Sequence, residues 1–168
     1  MTRFFYDTKF IEDGKTIELI SIGIVTVTED DTGSYYAVNA DAQWDKIQQH
    51  PWLMKNVVPQ LEIEYARSKH AIRSNLIDFV NKYQEDGTDN EFWAYYGDYD
   101  HIVLAQLFGT MLQLPNNFPI FTMDIKQLAV HKGNPQLPKQ AYGEHNALAD
   151  ARHNLVIYNF LKDLPFKA

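Results

Sequence analysis

Asp7, Asp100 and Asp150, with His145 five residues before the last of them, are the side chains of this sequence whose types can do chemistry together. Carboxylates drawn from distant parts of a chain bind divalent cations, and cations held in that way meet phosphate oxygens and activate water. A histidine beside them can take a proton from that water, since an unperturbed imidazole titrates near neutrality. Three dispersed aspartates and one histidine therefore suggest metal-assisted cleavage of a phosphodiester.

Each residue alone also has a plainer reading. Asp100 sits where a strand passes into a helix and could be the N-cap. Asp150 lies in the first turn of the last helix, where an acid favours the helix dipole. Asp7 could be an ordinary turn acid at the end of a strand, and a lone histidine such as His145 is more often a loop residue than a base. Only the joint pattern changes these odds.

The elements that must position the four are legible in outline. Arg3 to Asp7 reads as a short strand, and Thr16 to Thr28 as a longer one dense in β-branched residues, with the turn-forming run Glu12-Asp13-Gly14-Lys15 between them. Tyr35 to Asn39 continues the meander. Ala42 to Lys69 is irregular and predicts short helices. Ala71 to Tyr83 repeats apolar residues at helical spacing, and Glu91 to Tyr96 reads as a buried strand. A helix is predicted from Asp100 to Leu114, stopped by Pro115, then a strand over Pro119 to Met123 and a helix over Ile125 to Val130. The closing helix is expected from about Asn146 to Leu164. An antiparallel three-strand meander followed by alternating helices and strands is an α/β pattern on one mixed central sheet with flanking helices. Asp7, Asp100 and Asp150 then fall where such a sheet displays groups at an edge crevice.

Composition narrows the field. At 168 residues the chain is expected to form a single domain, residues 1–168. Hydrophobic residues at 45% and aromatic residues at 14% exclude a disordered chain. No apolar run is long enough to span a membrane and no signal-peptide pattern opens the sequence, so no membrane partner is expected. The absence of cysteine excludes disulfides, zinc thiolates and thiol nucleophiles and fits a cytoplasmic protein. A net charge of −7 argues against binding nucleic acid through a broad basic surface, but not against a nuclease whose cations meet the phosphate.

The local contexts of the four residues are specific. Tyr6-Asp7-Thr8 followed by Ile17 to Gly23, then Ala94 to Asp100, then His145-Asn146-Ala147-Leu148-Ala149-Asp150-Ala151-Arg152 resemble the three exonuclease motifs of the DEDDh family, whose fold is ribonuclease H-like. Within that family the chain is similar to the bacterial polyadenylate-specific exoribonucleases (RNase AS), whose openings look like Phe5-Tyr6-Asp7-Thr8 with Phe10-Ile11-Glu12-Asp13-Gly14. The resemblance implies a 3′-5′ exoribonuclease that releases nucleoside 5′-monophosphates from single-stranded RNA or a 3′ overhang, with DNA as the competing substrate, and it suggests a homodimer. It implies two magnesium or manganese ions roughly 4 Å apart. Asp7 would bridge both ions, Asp100 would hold the second, Asp150 would ligate the first, and His145 would be the base. Asp98 is a stand-in for Asp100, which is preferred because it follows Tyr99 as the motif does.

One position departs from the family. Its first motif carries a glutamate two residues after the first aspartate, and here that residue is Lys9. Residues two apart on a strand share a face, so Lys9 should point to the same side as Asp7. Three readings stay open. The chain is a catalytically impaired nucleic-acid-binding or regulatory protein on the same fold; or the substitution is engineered or incidental in an otherwise ordinary enzyme; or activity persists because Glu12 or Glu18 reaches the ion, or because the ammonium supplies part of the missing charge. A structural domain with no nucleotide site would require all three motifs to be coincidence. Phe10, Trp52 and Tyr142 are candidates for base stacking, and Arg67, Lys69, Arg73 and Lys139 for the substrate backbone; core packing and solvated surface are the plainer alternatives.

Overall fold

The β-branched run near the start builds a meander in the computed structural model, which describes residues 1–167. Ala168, the last residue of the domain expected over 1–168, lies outside the described residues. Strand β1 (Thr2–Glu12) pairs antiparallel with β2 (Ile17–Val27), and β2 with β3 (Thr32–Asn39). Strand β1 runs five residues past the expected end at Asp7, because its ladder continues through Lys9↔Ser21 to Glu12↔Ile17. Polar Thr8 and Lys9 interrupt the apolar text, but a ladder is built from backbone groups and does not need apolar side chains. Asp7 therefore stands mid-strand, opposite Gly23, and not at a strand end.

Three parallel pairings complete a mixed six-stranded sheet. Strand β4 (Ala66–Arg67) lies beside β3, β5 (Asn90–Ala94) beside β1, and β6 (Met123–Asp124) beside β5, giving the order β4-β3-β2-β1-β5-β6. The helices are α1 (Trp44–Gln48), α2 (Pro51–Asn56), α3 (Lys69–Tyr83), α4 (Asp98–Gln106), α5 (Ile125–His131) and α6 (Ala147–Lys162). The helix expected from Asp100 to Leu114 starts two residues earlier and stops at Gln106. Gly109 takes φ +117, outside any helix, and a short 3-10 turn at Met111–Gln113 follows. The strand expected over Pro119 to Met123 shrinks to β6, since Ile120 and Phe121 turn out to solvent while Phe118 is buried.

Side-chain alternation divides β1 between two layers. Phe4 and Tyr6 pack with Ile22, Ile24 and Phe92 against Ile72, Leu76 and Val80 of α3 and Val103 and Leu104 of α4. Phe5 faces the other way, with Val25 and Trp93, onto Ile125 of α5 and Ala151, Ile157 and Leu161 of α6. Even-numbered residues of β1 thus look toward α3 and α4, and odd-numbered ones toward α5 and α6. Thr8 belongs to the first set; Asp7 and Lys9 belong to the second. Among the described residues no helix is long and apolar enough to cross a membrane.

Candidate active site

Gly23 explains how the last helix reaches the strand that carries Asp7. A methyl group on this glycine would stand 2.3 Å from the Cα of Leu148, so only hydrogen lets the first turn of α6 settle on β2. Asn146 caps that helix by accepting from the backbone N–H groups of Leu148 and Ala149. Further along, the Asn154 amide donates to the backbone oxygen of Tyr6 at 3.0 Å in a buried contact. The two anchors hold Asp150, in the first turn of α6, over the odd-numbered face of β1.

On that face Lys9 Nζ lies 2.6 Å from Asp150 Oδ2 and 2.9 Å from Asp7 Oδ2, with the lysine side chain only 14% exposed. The contact with Asp150 is a directed hydrogen bond. The contact with Asp7 is an ion pair to the buried Oδ2. Asp150 is fixed from two more sides, by the Gln140 amide on Oδ1 at 2.7 Å and by the backbone N–H of His145 on Oδ2 at 3.2 Å.

Asp100 reaches β1 from the opposite layer. The helix begins at Asp98 and its N-cap position is Gly97, so Asp100 is no cap; it lies in the first turn, 5% exposed. Its Oδ1 accepts from both the backbone N–H and the hydroxyl of Thr8, at 2.8 and 2.6 Å. Asp98 points to solvent and does not replace it. Burial pushes the Asp7 carboxyl up, with Lys9 opposing and the charges of Asp100 and Asp150 adding to the shift. Burial likewise holds Asp100 above the ordinary carboxyl range, outweighing the two Thr8 bonds. Burial alone would lower the Lys9 ammonium, but Asp7 and Asp150 overcome it and hold lysine above its usual value.

Two clefts meet at Asp7 and Lys9. One, of about 610 Å³, is lined by Asp150, His145, Gln140, Lys139 and His153 as well. The other, of about 310 Å³, is lined by Thr8, Phe10, Trp52, Tyr96, Tyr99 and Asp100. His145 takes φ +72, which turns the loop sharply ahead of α6, and its ring meets the edge of Trp52 at 5.4 Å. Phe10 stacks on Tyr99 at 5.7 Å and 12°. All four residues singled out by the sequence thus border one composite cleft. A third cleft of similar volume, at the β5 edge beside Phe118, Ile120 and Phe121, is bordered by none of them.

Other candidates separate clearly. Trp52 and Phe10 line the cleft, whereas Tyr142 borders a different depression. Lys139 lines the cleft beside Asp150. Arg67 donates to the backbone oxygens of Glu64 and Ala66, Lys69 pairs with Glu18, and Arg73 lies over the ring of Phe108. Glu12 accepts from the backbone of Gly14, and Glu18 accepts from Gln43 and Lys69, so neither takes the place of the acid missing at position 9. Sequence reasoning did not find Thr8 or Gln140. Thr8 had a signal, its place between Asp7 and Lys9 on the alternate face; Gln140 had none, lying in a loop ten residues before the carboxylate that it holds.

The oxygen donors suit a hard cation such as magnesium or manganese. The fit differs between the two sides of Asp7. Asp7 and Asp100 line the smaller cleft together, and magnesium is commonly held by one or two carboxylates plus waters and substrate phosphate. Toward Asp150 the space between the carboxylates is filled by the lysine ammonium, and a second cation does not fit there. Among the described residues no three acidic or histidine side chains converge closely enough to cage an ion alone.

The architecture is that of DEDDh-type 3′ exonucleases. The nuclease domain of 3′hExo, described as a DEDDh family member bound to rAMP, aligns with a TM-score of 0.54 at 11% identity, covering 99% of this chain and 96% of that one. A 3′-exonuclease solved in recognition of the histone mRNA stem-loop gives 0.60 at 12% identity, over 96% of this chain and 82% of its own. These likenesses are of fold. In sequence, the chain is 43% identical over 157 residues to the 3′-5′ exoribonuclease Rv2179c of Mycobacterium tuberculosis (strain ATCC 25618 / H37Rv), covering 91% of this chain and 89% of the relative. Residues 2–161 match the 3′-5′ exoribonuclease Rv2179c-like domain, and the chain belongs to that family.

Proposed function

We propose that the protein is a divalent-metal-dependent 3′-5′ exoribonuclease formed as one domain, which removes nucleotides from the 3′ end of single-stranded RNA as 5′-monophosphates. The observation that carries this reading is the meeting of Asp7, Asp100, Asp150 and His145 at one cleft in a chain of this family. Asp7 and Asp100 would hold a magnesium or manganese ion, which when bound would neutralise charge on the scissile phosphate. The terminal base stacks near Phe10 and Trp52. His145 takes the proton from the attacking water as the water oxygen bonds to phosphorus. The bond from phosphorus to the 3′ oxygen breaks, and that oxygen leaves with a solvent proton as the new 3′-hydroxyl.

The test is incubation with 3′-labelled and 5′-labelled RNA and DNA, with magnesium, manganese or chelator. Labelled mononucleotide from the 3′ label, a descending ladder from the 5′ label, and loss of both with chelator are expected, with RNA consumed faster than DNA. Lys9 between Asp7 and Asp150 favours one competing reading, a catalytically impaired nucleic-acid-binding protein. Retention of RNA without any shortening would select it. Light scattering on the same preparation tests the homodimer.

A further inference from the structure

An ammonium and a metal ion compete for the same oxygens. Lys9 Nζ touches one oxygen of Asp7 and one of Asp150, and its side chain is largely buried in mid-strand, so it cannot leave without exposing both carboxylates to one another. Asp150 is held in that pairing by Gln140 and by the backbone of His145. The acids that could have rebuilt a ligand set, Glu12 and Glu18, are bonded elsewhere. Both Thr8 bonds fall on Asp100 Oδ1, and Asp7 and Asp100 line the same cleft.

We infer that Lys9 is a built-in cation standing in for one of the two divalent ions that three aspartates would otherwise take, so that each chain binds a single divalent ion, between Asp7 and Asp100. This rests on the reading of the aspartates as a nuclease site and deepens it. A lysine there stabilises negative charge at the phosphate but differs from a metal ion in two respects. It carries half the charge, and it has no open coordination position at which a water can be activated. Activation of the water then falls to His145 alone.

The experiment is manganese binding to the intact protein without RNA, with free manganese read from its electron paramagnetic resonance signal. One ion per wild-type chain is expected. Asp100→Asn should weaken it by about tenfold or more, while Asp150→Asn leaves it nearly unchanged because that carboxylate faces the lysine. Lys9→Glu should bind two ions close enough for their spins to couple. Two ions on the wild type, none at all, or equal loss from Asp100→Asn and Asp150→Asn would overturn the inference. Circular dichroism checks that each variant is folded, and should Lys9→Glu fail, the wild-type count and the two asparagine variants still decide. Two ions on the wild type would leave the exoribonuclease reading intact, since that reading fails only if no mononucleotide is released.

Discussion

Thr8 gives both its backbone N–H and its hydroxyl to one oxygen of Asp100, at 2.8 and 2.6 Å, and so ties a carboxylate of α4 to the strand that carries Asp7. Helix α4 covers one face of the sheet, and this pair fixes where its carboxylate stands relative to Asp7. Thr8→Val keeps the shape and the backbone bond but removes the hydroxyl. Loss of a buried bond to a charged group is expected to lower stability by about 1.5–3 kcal/mol and to weaken manganese binding. Urea denaturation and a manganese titration of the same variant check both; unchanged values would mean that the backbone bond alone is enough.

Gly23 is the corresponding contact on the other side. Gly23→Ala drives a methyl group into the backbone of Leu148, which cannot yield as a flexible side chain would. Overpacking of this kind costs about 1–3 kcal/mol. Because Asp150 rides on the same turn of α6, turnover should fall more than stability alone explains. Denaturation and RNA cleavage well below the melting point separate the two effects; a fall in stability with full activity would show that α6 shifts without moving Asp150.

The stability of the metal-free protein should depend on pH through Asp7. Its carboxyl is pushed up by burial to about 8, against about 3.9 in an unfolded chain. A raised carboxyl favours folding while it is protonated. That contribution is therefore present below about pH 4, declines as pH rises toward 8, and is absent above. Asp7→Asn cannot ionise, so in chelator it should gain on the wild type between pH 5 and pH 8 by at least about 1.4 kcal/mol, the equivalent of one pKa unit. Urea melts at the two pH values measure it, and parallel pH profiles would show that Asp7 stays ionised throughout.

His145→Ala should lower turnover by about 10²-fold or more while manganese and nucleotide binding stay nearly unchanged. The side chain borders the cleft with Asp150, whereas the bond to Asp150 comes from the backbone and survives the change. Equal losses of binding and rate would instead assign the ring a structural part, through its contact with Trp52.

Much of this site was readable before any coordinates, because the chemistry sits in short motifs: Asp7, Asp100, Asp150 and His145 were singled out from their neighbours in sequence. The six-stranded sheet was readable less fully, since strand β1 continues through polar Thr8 and Lys9 on backbone pairing that side-chain patterns do not report. The end of α4 was hidden for a related reason, a glycine at φ +117 inside an apolar run. Period two put Lys9 on the face of Asp7, but its second partner comes from 141 residues away and follows only from the seating of α6 on Gly23. Gln140 was invisible because a loop amide carries no pattern that points to the carboxylate it meets.

Lys9 sets how far the family's chemistry extends in this chain. The ammonium compensates Asp7 and Asp150, so the fold tolerates it, but it neither brings two charges nor activates water. Lys9→Glu removes that compensation and offers a third carboxylate to the same space. Apart from a divalent ion the variant should be less stable than the wild type, since three acids then face one another unpaired. With magnesium the order should reverse, and turnover on RNA should rise at least about tenfold, or about 1.4 kcal/mol in barrier. A magnesium titration of turnover on one RNA, run for both proteins beside thermal melts with and without the ion, measures both effects. Should the glutamate variant bind a second ion and yet be no faster, the lysine is a sufficient replacement for that ion, and proton transfer to His145 or product release sets the rate instead.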